Sequence, residues 1–387
     1  MNADGKQTDF EKHINDLSDN ELPTANIIVA GITGTGKSTL INAVFGDNIA
    51  KTGVGRPITD SITAYDDANI PICIWDTVGL ELDSVKTKQS IRSIRETIAR
   101  KASGKDIYDR IHAIWYCINS GSKRYQGAEL GFIHDLHSIG VPFIIVLTQC
   151  TQSEEEVNAF EQTIRRINHE QGMDDIEIVQ VCAKPVRMRG FTIEAFGLEE
   201  LVNVTLKKLP EFIKSGFIAA QKVDVVQKRM LSEEIIMKQV EEAEKGFFDR
   251  VPIVNLFTTD NKIKSMFGKI GKVYNMVIPE ESIEKILKGT RTEIGKLINA
   301  LVFPMFHDYR GKIEDYLQKT KEKDGFEVPK EPSQRAARII AEYGYMFVES
   351  IEDIWNDYTE EQLSKIDTTV ALIITTLNKK LRELRRQ

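Results

Sequence analysis

No run in this 387-residue sequence reaches the roughly 18 consecutive apolar residues that a membrane-spanning helix needs. A spanning helix is therefore not expected, and the reading is a cytoplasmic protein, soluble or touching a membrane only peripherally. The opening stretch, MNADGKQTDFEKHINDLSDNELP, is polar and has no apolar segment of the kind a secretory signal carries. Cysteine is scarce, and Cys73, Cys117, Cys150 and Cys182 form neither a C-x-x-C pair nor a zinc-like spacing. That argues against a disulfide framework and a cysteine zinc site, and leaves reduced thiols at strand ends. An excess of basic residues is also missing. Lys and Arg number 51 against 58 Asp and Glu, so 51 − 58 = −7. Such a balance gives no overall drive toward nucleic acid or an anionic membrane, and no nucleic-acid partner is assigned. No internal repeat and no low-complexity tract is present.

What is present falls into two halves, as the length suggests. After a polar extension over residues 1–24, short Ile- and Val-rich runs alternate with longer periodic segments through residues 25–213. That alternation predicts an α/β domain with a doubly wound, mainly parallel, six-stranded sheet. Five strands are near-continuously apolar, as strands covered on both faces are: Asn26 to Gly31, Pro71 to Asp76, Ile111 to Asn119, Pro142 to Gln149 and Ile176 to Cys182. A sixth, Ser61 to Asp67, is less apolar and suits an antiparallel edge beside Pro71 to Asp76. Helices are expected over Lys37 to Phe45, Val85 to Lys101, Gly127 to Ile139, Ser153 to Glu170 and Leu198 to Leu209. Residues 214–387 lack strand signals. Asp224 to Lys245 and Glu281 to Leu301 carry apolar residues at spacings of three and four, so a helical domain is expected, with Lys319 to Pro332 as a loop or linker.

The strongest chemical signal is Gly31-Ile32-Thr33-Gly34-Thr35-Gly36-Lys37-Ser38, a complete G-x-x-x-x-G-K-[ST] between an expected strand and an expected helix. In such a turn the backbone amides cradle phosphate at a helix N-terminus, Lys37 reaches the β and γ oxygens, and Ser38 ligates Mg²⁺. Thr33, Gly34, Thr35, Gly36 and the following Thr39 belong to the same nucleotide-binding set. A second motif, Asp76-Thr77-Val78-Gly79, ends the Pro71 to Asp76 strand. There Asp76 would hold a Mg²⁺-bound water and the Gly79 amide would approach the γ-phosphate. Asp76 as a plain strand end before a turn is the alternative.

Together with Gly31 to Gly46, the Gly-x-Gly-x-Pro-x-Thr run from Gly53 to Thr59, IWDTVGLE and the late Cys182-Ala183-Lys184, these motifs make roughly residues 25–210 resemble an Era-like P-loop GTPase of the translation-factor class. The resemblance implies GTP/GDP and Mg²⁺ as cofactors. It implies a first switch over Lys51 to Ser61, with Thr59 ligating the metal and sensing the γ-phosphate, Thr63 as its fallback, and a second switch from Gly79 onward. Both threonines can also be ordinary loop or strand residues.

The sequence departs from that family where the base is read. The expected [NT]-K-x-D is Thr148-Gln149-Cys150-Thr151, so the guanine-reading Asp is absent and a hydroxyl replaces it only in part. Thr148 keeps its family role and Gln149 can lay its stem along the base, while Ala183 and Lys184 match the loop whose backbone N–H meets guanine O6. Guanine is favoured over adenine, with relaxed selectivity left open. After Gly79, Leu80 stands where Ras-type enzymes have a water-positioning Gln, so intrinsic hydrolysis should be slow and acceleration should come from elsewhere, such as Glu81, a partner or dimerisation. Arg124 reads either as a solvated arginine or as a residue reaching phosphate across a GTPase-domain homodimer. His134 and His137 read as surface or packing residues, and Trp75 and Trp115 as core.

In the second half, the order from Val251 through Met305 resembles the helical domain that accompanies some bacterial Era-like GTPases, and the likeness extends weakly to Ala336 to Trp355. It contains no catalytic constellation. Phe247-Phe248, Phe303 to Phe306 and Tyr343 to Phe347 read first as helical core and second as a membrane or partner surface. The expectation from sequence is a slow, Mg²⁺-dependent GTPase that switches a helical effector domain toward an unidentified protein partner. The alternatives are a non-hydrolysing nucleotide-binding scaffold and an NTPase of relaxed base selectivity.

Overall fold

The computed structural model describes residues 22–46, 49, 56–59, 62–67, 70–77, 85–102, 106–125, 128–245, 256–300, 332–358, 360–363 and 365–384. The chain divides into two compact units, Met1–Val225 and Val226–Gln387.

The first unit is built on one sheet whose strands are β1 (Ala25–Gly31), β2 (Arg56–Thr59), β3 (Ile62–Asp67), β4 (Ile70–Thr77), β5 (Ala113–Asn119), β6 (Phe143–Thr148) and β7 (Glu177–Gln180). Their order is β2-β3-β4-β1-β5-β6-β7. β4, β1, β5, β6 and β7 run parallel, with β3 and β2 added antiparallel at one edge. The six strands read from sequence are all present, and β2 is a short seventh formed inside the segment expected to be a switch loop.

The period of two along a strand explains the near-continuous apolar runs. On β1, Ile28 and Ala30 face one core layer with Trp75, Tyr116 and Phe132, whereas Ile27 and Val29 face the other with Phe45, Trp115 and Leu201. The first layer is covered by α2 (Val85–Ala102), α3 (Ala128–His137) and α4 (Glu154–Glu170), and the second by α1 (Lys37–Phe45), α5 (Leu198–Lys208) and α6 (Glu211–Ala220). α4 starts where sequence logic puts it. Ser153 caps it by accepting from the Glu156 amide at 3.3 Å, and three glutamates occupy its first turn. Trp75 and Trp115 are core residues whose indole N–H groups donate to Asn26 Oδ1 and Thr205 Oγ1, so neither carries an unpaired buried donor. All four cysteines are buried free thiols.

Two features were not legible in advance. A short ribbon, β8 (Val186–Arg187) with β9 (Thr192–Ile193), stands between the Cys182-Ala183-Lys184 turn and α5. The boundary expected at residue 213 falls inside α6, whose Ile213, Phe217 and Ala220 lie in the first unit's core, Phe217 edge-on to Trp115 at 6.3 Å between ring centroids.

The described elements of the second unit are all helices: α7 (Val225–Lys245), α8 (Leu256–Val273), α9 (Glu280–Ala300), α10 (Pro332–Asp357), α11 (Glu360–Leu363) and α12 (Ile366–Leu384). Tyr343 to Phe347 turn out to be core, with Phe347 stacked on Phe267 at 3.7 Å and Tyr343 edge-on to it at 4.9 Å. A fully buried Lys228 donates to the Val273 carbonyl at 2.6 Å, where it satisfies the C-terminal end of α8 and lies over the Tyr274 and Trp355 rings. The basic end of α12 is partly committed, since Lys380 pairs with Asp353 at 2.8 Å. Phe247-Phe248, Phe303 to Phe306 and the linker Lys319 to Glu331 lie outside the described residues. Among the described residues no helix is long and apolar enough to cross a membrane.

Candidate functional site

Four loops, at the C-terminal ends of β1, β4, β6 and β7, close around one cleft of about 690 Å³. Such a position, outside the carboxyl ends of parallel strands, is where open α/β sheets place ligands.

The first loop is the glycine turn between β1 and α1. Gly31, Gly34 and Gly36 have φ of 144°, 82° and 86°, a region that disfavours side chains. At Gly31 a Cβ would also lie 2.4 Å from the Cys117 carbonyl oxygen, so the residue is required for β1 and β5 to approach. Gly36 caps α1 with no side-chain acceptor, and the first turn of α1 has no acidic residue. The amide end of α1 therefore carries no capping side chain and no acid of its own first turn, and it faces the cleft. Lys37 folds back over the turn and donates to the carbonyls of Gly31 at 2.9 Å and Ile32 at 3.3 Å.

The second loop follows β4. Asp76 pairs in register with Val29 on one side and Thr63 on the other, which fixes its backbone at the centre of the sheet. Its Oδ1 and the neighbouring Thr77 Oγ1 are buried without a hydrogen-bond partner. Burial raises the Asp76 carboxyl to about 6, against the opposing pull of Lys37. An orphaned buried carboxylate oxygen near a lysine, in a cleft that Ser38 also lines, fits a hard cation such as Mg²⁺, which takes one or two carboxylates and fills its remaining positions with water and phosphate. Among the described residues no group of three or more His, Cys, Asp and Glu could hold a metal. His137 is taken by Asp175 at 2.9 Å, and His134 belongs to no such cluster.

The third wall comes from the loops after β6 and β7. Thr148 Oγ1 donates to the Thr35 carbonyl at 2.5 Å, and Gln149, itself at φ 55°, donates from Nε2 to the Gly34 carbonyl at 2.8 Å. These two bonds tie this loop to the glycine turn across more than a hundred residues. The Cys150 amide meets the Val181 carbonyl at 3.2 Å, which brings Cys182, Ala183 and Lys184 alongside Thr151.

Of the residues singled out in the sequence, Thr33, Gly34, Gly36, Lys37, Ser38, Thr39, Asp76, Thr148, Gln149, Ala183 and Lys184 line this one cleft. Gly31 and Thr35 shape it from behind, Thr35 with its hydroxyl on the Ile32 carbonyl at 2.9 Å. The Thr59 backbone ends β2, next to Ile62 in the ladder, and Gly79, Leu80 and Glu81 lie outside the described residues. Sequence reasoning missed Thr77 and Val186 as lining residues. Thr77 was legible as the polar neighbour of Asp76, whereas Val186 enters only through the unforeseen ribbon. Arg124 is exposed and lines a separate recess of about 630 Å³ behind the glycine turn, together with Glu129. Glu129 is buried, accepts from the Tyr116 hydroxyl at 3.1 Å, and is pushed up to about 7 by desolvation.

Residues 26–149 match the family model described as 50S ribosome-binding GTPase. No curated protein matches the chain by sequence. Among solved structures, a bacterial selenocysteine-specific elongation factor is similar at 20% identity and a TM-score of 0.32, over 48% of this chain and 29% of that one. A variant of Era from Aquifex aeolicus bound to GDP·AlF4⁻ is similar at 17% identity and 0.34, over 58% of this chain and 69% of that one. Toc33 from Arabidopsis thaliana in complex with Mg²⁺ and GMPPNP stands at 17% and 0.34, over 51% and 90%. The chain thus spans less than a third of the elongation factor's length.

Proposed function

We propose that the first unit of this chain, whose residues 26–149 match a GTPase family model, is a P-loop GTPase domain, and that the protein binds GTP and GDP with Mg²⁺, hydrolyses GTP slowly, and uses the nucleotide state to change what its helical unit binds. The observation that carries this reading is the convergence, in one cleft, of the glycine-turn amides, Lys37 and the partnerless Asp76 oxygen.

In this reading the amides from Thr33 to Thr39 hold the phosphates, and Lys37 exchanges its carbonyl partners for β and γ oxygens. Ser38 and Asp76, joined by Thr59, hold Mg²⁺, which when bound neutralises charge on the phosphates. Gly79 offers its amide to the γ-phosphate. Gln149 and Thr148 keep the base loop locked to the glycine turn, so that base and phosphates are read by one rigid body. Leu80 supplies no polar atom to orient water, which supports a slow intrinsic rate. Rate acceleration then comes from an effector, or from a homodimer through the GTPase domain with Arg124 facing it. The helical unit engages a protein effector, at a membrane surface or away from one.

Leu80 also favours a second reading, a non-hydrolysing scaffold in which bound nucleotide only stabilises the fold. Calorimetric titration of the full chain with GDP and with a non-hydrolysable GTP analogue, with and without Mg²⁺, tests the common core of both. Mg²⁺-dependent binding that falls about a hundredfold in Lys37→Ala is expected, since a charge-assisted contact contributes about 1.5–3 kcal/mol. No binding, or binding indifferent to Lys37→Ala, would overturn it.

A further inference from the structure

Away from Asp76 the described residues that line the cleft include no carboxylate, and this has a consequence for the base it takes. Among the described residues that line the cleft, Asp76 is the sole carboxylate, and it sits at the end that holds Lys37. At the other end stand Thr148, Gln149 and Thr151 on one side and Cys182, Ala183 and Lys184 on the other.

Several polar groups there have fixed partners. The Thr148 hydroxyl hydrogen is spent on the Thr35 carbonyl, and the Gln149 amide nitrogen on the Gly34 carbonyl. The Thr151 amide is spent on the Gln149 carbonyl at 2.8 Å, and its hydroxyl oxygen faces Gln152 Nε2 at 3.5 Å. Gln152 is in turn fixed by the Ser120 hydroxyl on its Oε1 at 2.6 Å, and its amide lies against Gly121, where a Cβ would be 2.9 Å away. The carboxylates that follow do not line the cleft. Glu156 is taken by Lys123 at 2.8 Å, and Glu161 by Arg165 and Gln180. Opposite them, the Cys182 amide is paired with the Phe196 carbonyl at 3.1 Å, and the peptide N–H groups of Ala183 and Lys184 follow in the turn that forms the wall.

We infer that this subsite recognises a purine by donating to a 6-oxo group and is indifferent to the substituent at C2, so that hypoxanthine and xanthine nucleotides are held as well as guanine nucleotides. The inference rests on the nucleotide-binding reading above. A 2-amino group is a donor that needs an acceptor, and a carboxylate would supply a charge-assisted one. Here a single hydroxyl serves. Because a hydroxyl both donates and accepts, it can meet the guanine amine, the bare C2–H of hypoxanthine with the help of water, or the C2 carbonyl of xanthine. Adenine is disfavoured because its 6-amino group would face peptide N–H donors.

The test is displacement of a fluorescent GDP derivative from the full chain in Mg²⁺ by GDP, IDP, XDP and ADP. GDP, IDP and XDP should compete within about threefold of one another and ADP about tenfold more weakly or worse, while Thr151→Asp should raise GDP over IDP, and further over XDP, to about tenfold. Wild-type protein that prefers GDP over IDP or XDP by more than about tenfold, or takes ADP as well as GDP, would overturn the inference. Failure of the fluorescent GDP to bind, or binding unaffected by Lys37→Ala, would instead overturn the reading beneath it. The wild-type panel decides the matter even if Thr151→Asp does not fold.

Discussion

Asp76 and Glu129 are carboxyls that the fold takes out of water, and each leaves a measurable trace. Glu129 titrates near 7 in the folded protein and lower when unfolded, because burial disfavours its anion. Between about pH 4.5 and 7 the folded chain therefore holds a proton that the unfolded chain has released, so this group's contribution falls as pH rises through that window. Glu129→Gln should melt higher than wild type at pH 8, by up to about 3 kcal/mol, and should match it near pH 4.5; equal melting at both pH values would contradict the assignment. For Asp76, raised to about 6, the same sign holds. Asp76→Asn should stabilise the nucleotide-free protein at pH 8 by about 1–3 kcal/mol while removing the Mg²⁺ dependence of GDP binding. Residue chemistry of this kind was half legible. The spacing of Lys37 and Ser38 marked the glycine turn that lines the cleft, but nothing in the sequence said that Gln149 would bond the Gly34 carbonyl, because that contact spans 115 positions. Glu129 gave no signal at all, since its burial comes from the closure of α3 over β5.

At the scale of elements, the glycine turn and α6 carry the sharpest expectations. Gly31→Ala would drive a Cβ to 2.4 Å from the Cys117 carbonyl and should cost several kcal/mol, read as loss of soluble protein or a large fall in melting temperature. Gly34→Ala meets no atom within 4 Å and should cost only the left-handed backbone term, about 1–2 kcal/mol. The contrast between the two separates crowding from conformational strain. Phe217→Ala, which empties a site among Phe45 and Trp115, should cost about 3–5 kcal/mol and show in the melting of the first unit. A neutral Phe217→Ala would remove α6 from that core. The strands were readable because near-continuous Ile and Val runs have few other uses, and the helices because their period is clear. α6 was not, because Pro210 reads as a stop although it only turns the chain from α5 into a second helix on the same core face. The β8–β9 ribbon was missed because two-residue strands leave no period to count.

For the whole molecule, the division into a nucleotide-binding α/β unit and a helical unit assigns separate spectroscopic reporters. Trp75 and Trp115 belong to the first unit and Trp355 to the second. Saturating GDP with Mg²⁺ at a hundred times its dissociation constant should raise the stability of the first unit by about 2.7 kcal/mol. The central claim is that this chain turns GTP over, and single-turnover phosphate release from GTP tests it most directly, with excess full-length protein in Mg²⁺, beside Lys37→Ala and beside EDTA. The account predicts slow release, on the order of the 10⁻⁴ to 10⁻² s⁻¹ of unassisted GTPases, abolished by either control. Release no faster than in Lys37→Ala would contradict it and leave the protein a nucleotide-bound scaffold.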